Sequence, residues 1–205
     1  KDSHFKKKYE NLILQRSKIV KSSQCKISYA AGVIKKHFKE GQHWLIFCSD
    51  KKQIQDLENE LCKIEKSKNQ IFTVHYGNDK EENDSTLAYY INNGGILLSI
   101  NMLNAGIDIP IISHAIILAS SKSPIEFIQR RGRVLRKHPQ KPYSYIYDPI
   151  VLPLDSSDME DKESLGIGMV ERAFEFSSTC VNTPIKEKIK GELFDRDLLS
   201  LIDIL

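Results

Sequence analysis

Trp44-Leu45-Ile46-Phe47-Cys48 is a run of consecutive apolar residues that lies between Gly41 and the pair Ser49-Asp50. Apolar residues at successive positions predict a strand that is buried on both faces, as in a parallel sheet. Ser49 and Asp50 are residue types that cap helices, and apolar residues then recur at helical spacing. These residues are Ile54, Leu57, Leu61 and Ile64. The stretch therefore predicts one strand-helix unit of a parallel sheet.

Similar units lie on both sides of this stretch. Upstream, loose helical spacing predicts a helix over residues 2–20, and Ser22-Ser23 predicts the start of a second helix that ends at Gly41. Downstream, the pattern predicts strands at residues 71–75, 96–100, 114–119 and 143–147, with helices at 80–92 and from Pro124, and a turn at Gly106. Alternating strands and helices predict an α/β fold, a parallel sheet with helices on both faces. Ligands of such sheets bind at the carboxyl ends of the strands.

The last quarter of the chain differs in composition. Acidic residues crowd the segment after Pro153, which predicts a solvated connector: Asp155, Asp158, Glu160, Asp161 and Glu163. Helices are predicted around residues 169–176 and from Ile185 to the end, where an apolar stripe consists of Phe194, Leu198, Leu201, Ile202 and Leu205. We expect N-terminal helices over residues 1–41, the main domain over 42–152, and the connector with C-terminal helices packed on that domain over 153–205.

Composition limits the class of protein. The 205 residues are 40% hydrophobic and 28% charged, with a net charge of +3, as in an ordinary globular protein. Apolar runs such as residues 115–119 are too short to span a bilayer, and neither a signal nor a transit peptide is visible. We expect a cytoplasmic protein without a membrane partner. Cys25, Cys48, Cys62 and Cys180 stand far apart, which predicts free thiols and no metal site.

The positive charge is concentrated in one stretch. Between residues 120 and 141 only Glu126 is acidic, and seven residues are basic: Lys122, Arg130, Arg131, Arg133, Arg136, Lys137 and Lys141. On a helix, Gln129, Arg133 and Arg136 would share one face at i, i+4 and i+7. Two guanidinium groups and an amide on one face suit a phosphate chain. A solvated basic helix with surface ion pairs is the alternative that charge alone leaves open.

Four segments, in order, resemble elements of superfamily 2 helicases. Residues 129–136 (Gln-Arg-Arg-Gly-Arg-Val-Leu-Arg) resemble motif VI, and residues 99–110, which end in Gly-Ile-Asp-Ile-Pro, are similar to motif V. Residues 44–50 resemble motif IV, and His75-Tyr76-Gly77 resembles the strand-end element that follows it. The resemblance covers roughly residues 42–148. It implies the second RecA-like domain of a DEAD/DEAH-type helicase or translocase.

That resemblance implies roles for five residues in a cleft shared with a first RecA-like domain. Arg133 and Arg136 would be arginine fingers that neutralise charge on the γ-phosphoryl group of ATP, and Gln129 would lie near that phosphate or the attacking water. Asp108 and Gly106 would line the nucleotide side. For Asp108 the alternative is an aspartate that accepts hydrogen bonds from local amides.

The resemblance also implies contacts to a nucleic-acid strand. Ser49, Tyr76, Gly77, Ser99 and Asn101 are the candidates. The sequence departs from the family pattern here, because Ile100 stands where many members have a Thr or Ser, and Ala105 where many have Glu. For Ser49 a helix-capping role is the alternative, while Lys122 and Lys137 could bind phosphate or only solvate the surface.

Two elements of a complete ATPase are missing from the sequence. It has no Gly-x-x-x-x-Gly-Lys-Ser/Thr loop and no Asp-Glu-x-Asp/His segment for Mg²⁺. We therefore expect ATP and Mg²⁺ to be held mainly by a first RecA-like domain of the same parent protein, and the chain alone to be inactive. The chain also begins within a predicted helix, as an excised fragment would.

Three hypotheses for function follow. The first is an ATP-driven motor module that acts on nucleic acid, with DNA preferred over RNA because motif VI begins with Gln129 rather than His, and with further domains or subunits as partners. The second is a protein-binding or nucleic-acid-binding module that kept the fold without catalysis. The third is an unrelated nucleotide-binding domain, which would need a glycine-rich loop after the first strand, where Ser49-Asp50-Lys51-Lys52 stands.

Overall fold

The computed structural model describes residues 22–74, 79–100, 109–119, 134–151, 159–182 and 184–195, and positions 8, 11, 12, 15, 19, 20 and 132. The chain divides into two compact units, Lys1–Pro149 and Ile150–Leu205. The first unit contains helices α1 (Gln24–His37), α2 (Lys51–Leu61) and α3 (Lys80–Asn93) and strands β1 (His43–Cys48), β2 (Ile71–Val74), β3 (Gly95–Ile100), β4 (His114–Ile117) and β5 (Tyr145–Tyr147).

The five strands form one parallel sheet in the order β2-β3-β1-β4-β5. Strand β1 lies at its centre, and all six of its residues are buried, as the apolar run predicted. The α/β fold with a parallel sheet is therefore confirmed. Because every strand runs the same way, all strand starts lie along one side of the sheet, here named the amino edge, and all strand ends along the other, the carboxyl edge.

One face of the sheet is covered by α1 and α2. Alternate residues of the central strands point toward these helices, since successive side chains of a strand face opposite sides. The core contains Ile27, Ala30, Val33, Ile34 and Phe38 near α1, Ile54, Leu57 and Leu61 of α2, and Trp44, Ile46, Cys48, Ile96, Leu98, Ile116 and Leu118. Helix α1 thus contributes directly to the core of the sheet unit.

The other face is covered by α3. The Tyr90 ring contacts Phe72, and its hydroxyl donates a hydrogen bond of 2.9 Å to the carbonyl oxygen of Trp44. Tyr90 and Leu97 are fully buried, so a large aromatic side chain fills this layer. Helices on both faces are confirmed.

At the amino edge, the chain closes tightly around two glycines. Gly94 ends α3 with φ of 78°, and Gly95 begins β3 with φ of 120°. A Cβ atom on Gly95 would lie 2.7 Å from the carbonyl oxygen of Gln70 and 2.6 Å from the Phe72 ring. Only glycine fits here, because both the backbone angle and the available space exclude a side chain.

Helix α1 ends earlier than the sequence predicted. Its last residue is His37, and Phe38 leaves in an extended conformation with its amide bonded to the carbonyl of Ile34. Gly41, predicted to end the helix, lies in the following turn with φ of 79°. The burial of Phe38 ends the helix, since its ring packs edge-on against Trp44 at a centroid distance of 6.4 Å.

The second unit contains α4 (Met159–Ser178) and α5 (Ile185–Asp195), which contact each other. Helix α4 begins ten residues before the predicted residue 169, so Glu160, Asp161 and Glu163 belong to a helix rather than a connector. At the second and third positions of this helix, Glu160 and Asp161 are compatible with helix formation because the helix dipole favours acidic residues in a first turn. In α5, Leu193 is buried whereas Phe194 of the predicted stripe is 64% exposed. The rest of that stripe lies outside the described residues.

Candidate functional site

Strand β1 reaches the carboxyl edge at a helix cap. Asp50 is the N-cap of α2, and its Oδ1 accepts a hydrogen bond of 2.9 Å from the backbone N–H of Gln53. The Ser49 hydroxyl donates to Asp50 Oδ2 at 2.8 Å, and the Ser49 amide donates to Gln53 Oε1 at 2.8 Å. The N-cap is thus Asp50 rather than Ser49, whose two polar hydrogens are used in hydrogen bonds to Gln53 and Asp50.

Strand β3 ends beside a second predicted contact residue. The Ser99 side chain is fully buried, and its hydroxyl oxygen has no hydrogen-bond partner among the described residues. It lies in register with Phe47 of β1 and Val74 of β2, so it faces the inside of the sheet unit. In this conformation Ser99 cannot touch a ligand at the surface.

The arginine element, residues 129–136, is described only at its end. Gly132 and Val134 are helical, Leu135 lies in a turn, and Arg136 lies outside any helix with an exposed side chain. The prediction that Arg136 shares a helical face with Gln129 and Arg133 at i+7 is therefore wrong. The helix ends because the Val134 carbonyl accepts 2.8 Å hydrogen bonds from Lys141 Nζ and Ser144 Oγ instead of from a later amide.

Lys141 is not part of a positive surface, although it was counted among the seven basic residues of this stretch. It is 7% exposed. Its Nζ donates to the carbonyl oxygens of Pro110, Ile112 and Val134 at 2.8, 2.9 and 2.8 Å. Burial lowers its pKa. Arg136 and Lys137 are exposed and can still form a positive surface.

A second buried lysine lies at the end of β4. Lys26 of α1 is 2% exposed, and its Nζ donates to the carbonyl oxygen of Leu118 at 2.7 Å. This bond joins α1 to the chain just after β4, at the carboxyl edge. The two buried lysines thus lie at opposite edges of the sheet, because Lys141 binds the carbonyl oxygens of Pro110 and Ile112, which precede β4.

The remaining candidates lie outside the described residues. These are Gln129, Arg133, Gly106, Asp108, Tyr76, Gly77 and Asn101, together with Lys122 and the helix predicted from Pro124. Their roles remain predictions from the family resemblance. Tyr76 and Gly77 follow β2, which ends at Val74, and Asn101 follows β3, which ends at Ile100. These two strands are neighbours in the sheet, and both end at the carboxyl edge.

A cavity of about 270 Å³ lies at the amino edge, where its lining includes His43, His114, Lys141 and Tyr145. Three of its polar groups have partners: His43 Nε2 lies 3.0 Å from the Ile91 carbonyl, and His114 Nδ1 lies 2.8 Å from Ser113 Oγ. The three protons of the Lys141 ammonium are bonded to carbonyls.

The cysteines do not suggest chemistry in the structure. All four are free. Burial raises the pKa of the Cys48 thiol to about 12, with a smaller contribution from Asp50, so this thiol stays protonated and unreactive. Among the described residues, no cluster of His, Cys, Asp or Glu could hold a metal ion. Nor does any helix in that part of the chain have the length and apolarity needed to cross a membrane.

Comparisons with known proteins agree with this geometry. The helicase conserved C-terminal domain model matches residues 25–138. Similar structures include the C-terminal domain of the DEAD-box protein Dbp5 (20% identity, TM-score 0.50, covering 60% of this chain and 69% of that one). Others are Mss116p DEAD-box helicase domain 2 bound to an RNA duplex (17%, 0.51, 71% and 71%) and the C-terminal part of the Fun30 ATPase domain (16%, 0.53, 69% and 44%).

No curated protein matches the chain. The structural similarities lie at low identity and show the fold, while the family model covers more than half of the chain. The parallel sheet with helices on both faces and the family match agree with each other. The chain belongs to the helicase conserved C-terminal domain family, and it has the fold of the second RecA-like domain of superfamily 2 helicases.

Proposed function

We propose that the chain is the second motor domain of an ATP-dependent helicase or translocase. One observation beyond family membership carries the proposal: a single ammonium group joins the ends of two family elements. Lys141 Nζ is bonded both to Pro110, the last residue of the motif V segment, and to Val134 in the arginine element. In the family resemblance these elements supply the nucleotide-facing residues, and Lys141 joins their described ends.

Within that function, Arg133 and Arg136 are proposed as the arginine fingers. Arg136 is exposed just beyond a helix end, and a guanidinium group suits the bidentate recognition of phosphate that the role requires. Gln129, Asp108 and Gly106 would line the same side. ATP and Mg²⁺ supply the phosphoryl-transfer chemistry. Both would be held mainly by the first RecA-like domain, because the sequence has no glycine-rich phosphate loop and no Asp-Glu-x-Asp/His segment.

The proposed second ligand is a nucleic-acid strand at the carboxyl edge. Asn101, Tyr76 and Gly77 follow the adjacent strand ends and are the main candidates, since Ser49 and Ser99 use or bury their hydroxyls. DNA is our expected substrate because the arginine element begins with Gln129. Mss116p domain 2 was solved with an RNA duplex, so RNA is the competing substrate.

The arginine fingers can be tested in a protein that carries this chain and its first RecA-like domain. We expect Arg133→Ala and Arg136→Ala to lower kcat for ATP roughly a thousandfold, while ATP affinity changes little, because the charge they stabilise develops in the transition state. Arg136→Lys should remain poor, since an ammonium cannot replace a guanidinium fork. If both alanine variants hydrolyse ATP at the original rate, the finger assignment is wrong.

Nucleic-acid binding is tested by titrating the same protein with single-stranded DNA and RNA of one sequence. Backbone phosphate contacts predict weak dependence on sequence and a steep loss of affinity with salt. Binding that ignores salt would contradict backbone recognition. Tighter binding of RNA than of DNA at every salt concentration would replace DNA by RNA as the substrate.

A further inference from the structure

Lys141 belongs to a stretch of sequence rich in basic residues, yet its ammonium group is buried and binds backbone carbonyl oxygens. An ammonium group has three protons, and each is donated to a carbonyl oxygen, with distances of 2.8 to 2.9 Å. Hydrogen bonds from a charged donor are stronger than neutral ones, and burial removes the competing water. The Lys141 ammonium is therefore a rigid junction among three points of the backbone.

A short turn places the lysine at this junction. Pro139 follows His138, and the Lys141 amide donates to the His138 carbonyl at 3.0 Å, which closes a turn of four residues. Proline at the second position of such a turn fixes the backbone before the lysine. The proline reduces the backbone freedom that the unfolded chain loses here, while the ordered lysine side chain still loses its own rotamer freedom.

The three carbonyls come from two separate segments. Pro110 and Ile112 precede β4, whereas Val134 lies more than twenty residues later in the chain. Ser144 adds a second donor to the Val134 carbonyl. Cations are favoured at helix C-termini, where carbonyl groups lack amide partners, so Lys141 also caps this helix. Arg136 leaves the capped helix two residues after Val134.

The geometry points to Lys141 as a positioning residue: its ammonium fixes the distance between the motif V end at Pro110 and the arginine element at Val134, so that Arg136 is held in place for the phosphate. This inference rests on the proposed function. Lys141 itself touches neither nucleotide nor reacting atoms. Its effect on hydrolysis would come through the position of the two segments that it joins.

The structural part of the inference can be tested on the 205-residue chain by amide hydrogen exchange. Lys141→Met keeps the apolar stem and removes the ammonium. We expect exchange in peptides covering residues 109–113 and 132–136 to rise roughly tenfold or more. Ser144→Ala should raise exchange in 132–136 alone and by less. The matched control is Ser67→Ala, because Ser67 Oγ donates at 2.8 Å to the carbonyl of Leu61 at the end of α2.

The control should leave residues 109–113 and 132–136 unchanged. A uniform rise across the sheet unit in Lys141→Met, or no rise at all, would overturn the inference. If Lys141→Met does not fold, Lys141→Arg decides, because a planar guanidinium keeps the charge but cannot point three protons at the same three carbonyls. A selective rise in both segments supports the positioning role, and its absence in that variant overturns it.

The functional part is tested in the protein that carries both RecA-like domains. Lys141→Met should lower kcat roughly tenfold or more with little change in the KM for ATP, whereas Ser67→Ala should change neither. Unchanged kcat in Lys141→Met would overturn the positioning role. If the proposed function is wrong, the result is different. Arg133→Ala then leaves ATP turnover unchanged, while the selective rise in amide hydrogen exchange caused by Lys141→Met persists.

Discussion

The two edges of the sheet are built from different kinds of side chain. At the amino edge, Trp44, His114 and Tyr145 lie in register on neighbouring strands, and their rings stack at centroid distances of 4.3 and 4.7 Å. At the carboxyl edge, Asp50 caps α2 and the buried ammonium group of Lys26 binds the carbonyl oxygen of Leu118. Stacked rings thus join neighbouring strands at the amino edge, whereas a helix cap and an ammonium group join helices to the strand ends at the carboxyl edge.

The largest stability effect is expected at the amino edge, at Gly95. An alanine there would have an unfavourable φ of 120° and a Cβ atom 2.7 Å from the Gln70 carbonyl oxygen. We expect Gly95→Ala to lower the free energy of unfolding by about 3 kcal/mol or more. Urea denaturation measures this. The control is Gly32→Ala in α1, where no atom lies within 4 Å and stability should rise by roughly 0.5–1 kcal/mol. Equal effects of the two substitutions would contradict the tight closure.

A smaller effect at the same edge depends on pH. Burial, with a contribution from His37, lowers the pKa of His114 from 6.5 to about 4. Between these values the unfolded chain binds more protons than the folded one, so stability falls as the pH drops from 6.5 to 4. The loss attributable to this group is about 2–3 kcal/mol.

His114→Phe keeps a ring between Trp44 and Tyr145 and removes the titration. Urea denaturation at several pH values should show a flatter dependence for the variant across that range. Burial also lowers the pKa of His43, so some dependence should remain. Parallel curves for the two proteins would show that the pKa of His114 is not lowered as its burial implies.

The smallest effect is expected at the carboxyl edge. Asp50→Ala removes the cap of α2 and should lower the free energy of unfolding by about 1 kcal/mol. Asp79→Ala is the control. The Asp79 side chain accepts a hydrogen bond from the backbone N–H of Glu81 at the longer distance of 3.4 Å, so this cap should contribute less to stability. Thermal unfolding of both variants compares them. A larger loss for Asp79→Ala would reverse the assigned strengths of the two caps.

Sequence patterns correctly predicted the parallel sheet and the bounds of several of its elements. The run 44–48 is apolar at every position, so a central parallel strand was its simplest interpretation, and β1 is buried throughout. The bounds of α3 and β3 agree within one residue, because Gly94-Gly95 marks their junction. Periodicity and glycine positions are local signals, and these elements are determined locally.

The differences occur where tertiary contacts decide. Helical spacing extended the arginine element to Arg136, but carbonyl capping by Lys141 and Ser144 ends the helix at Val134. Counting charges placed Lys141 on a surface, although it is buried among carbonyl groups from distant segments. The turn signal around Pro139 was visible in the sequence and marks where the chain reverses. The carbonyl partners of Lys141, at Pro110 and Ile112, could not be predicted without the fold.

The central claim is that this domain completes an ATPase site it cannot form alone. The most direct measurement is ATP turnover by the 205-residue chain with Mg²⁺ and nucleic acid, before and after addition of the first RecA-like domain of the same protein. We predict no turnover by the chain alone, and turnover by the pair that is lost when this chain carries Arg133→Ala. Robust hydrolysis by the purified chain alone, or a pair indifferent to that substitution, would contradict the account.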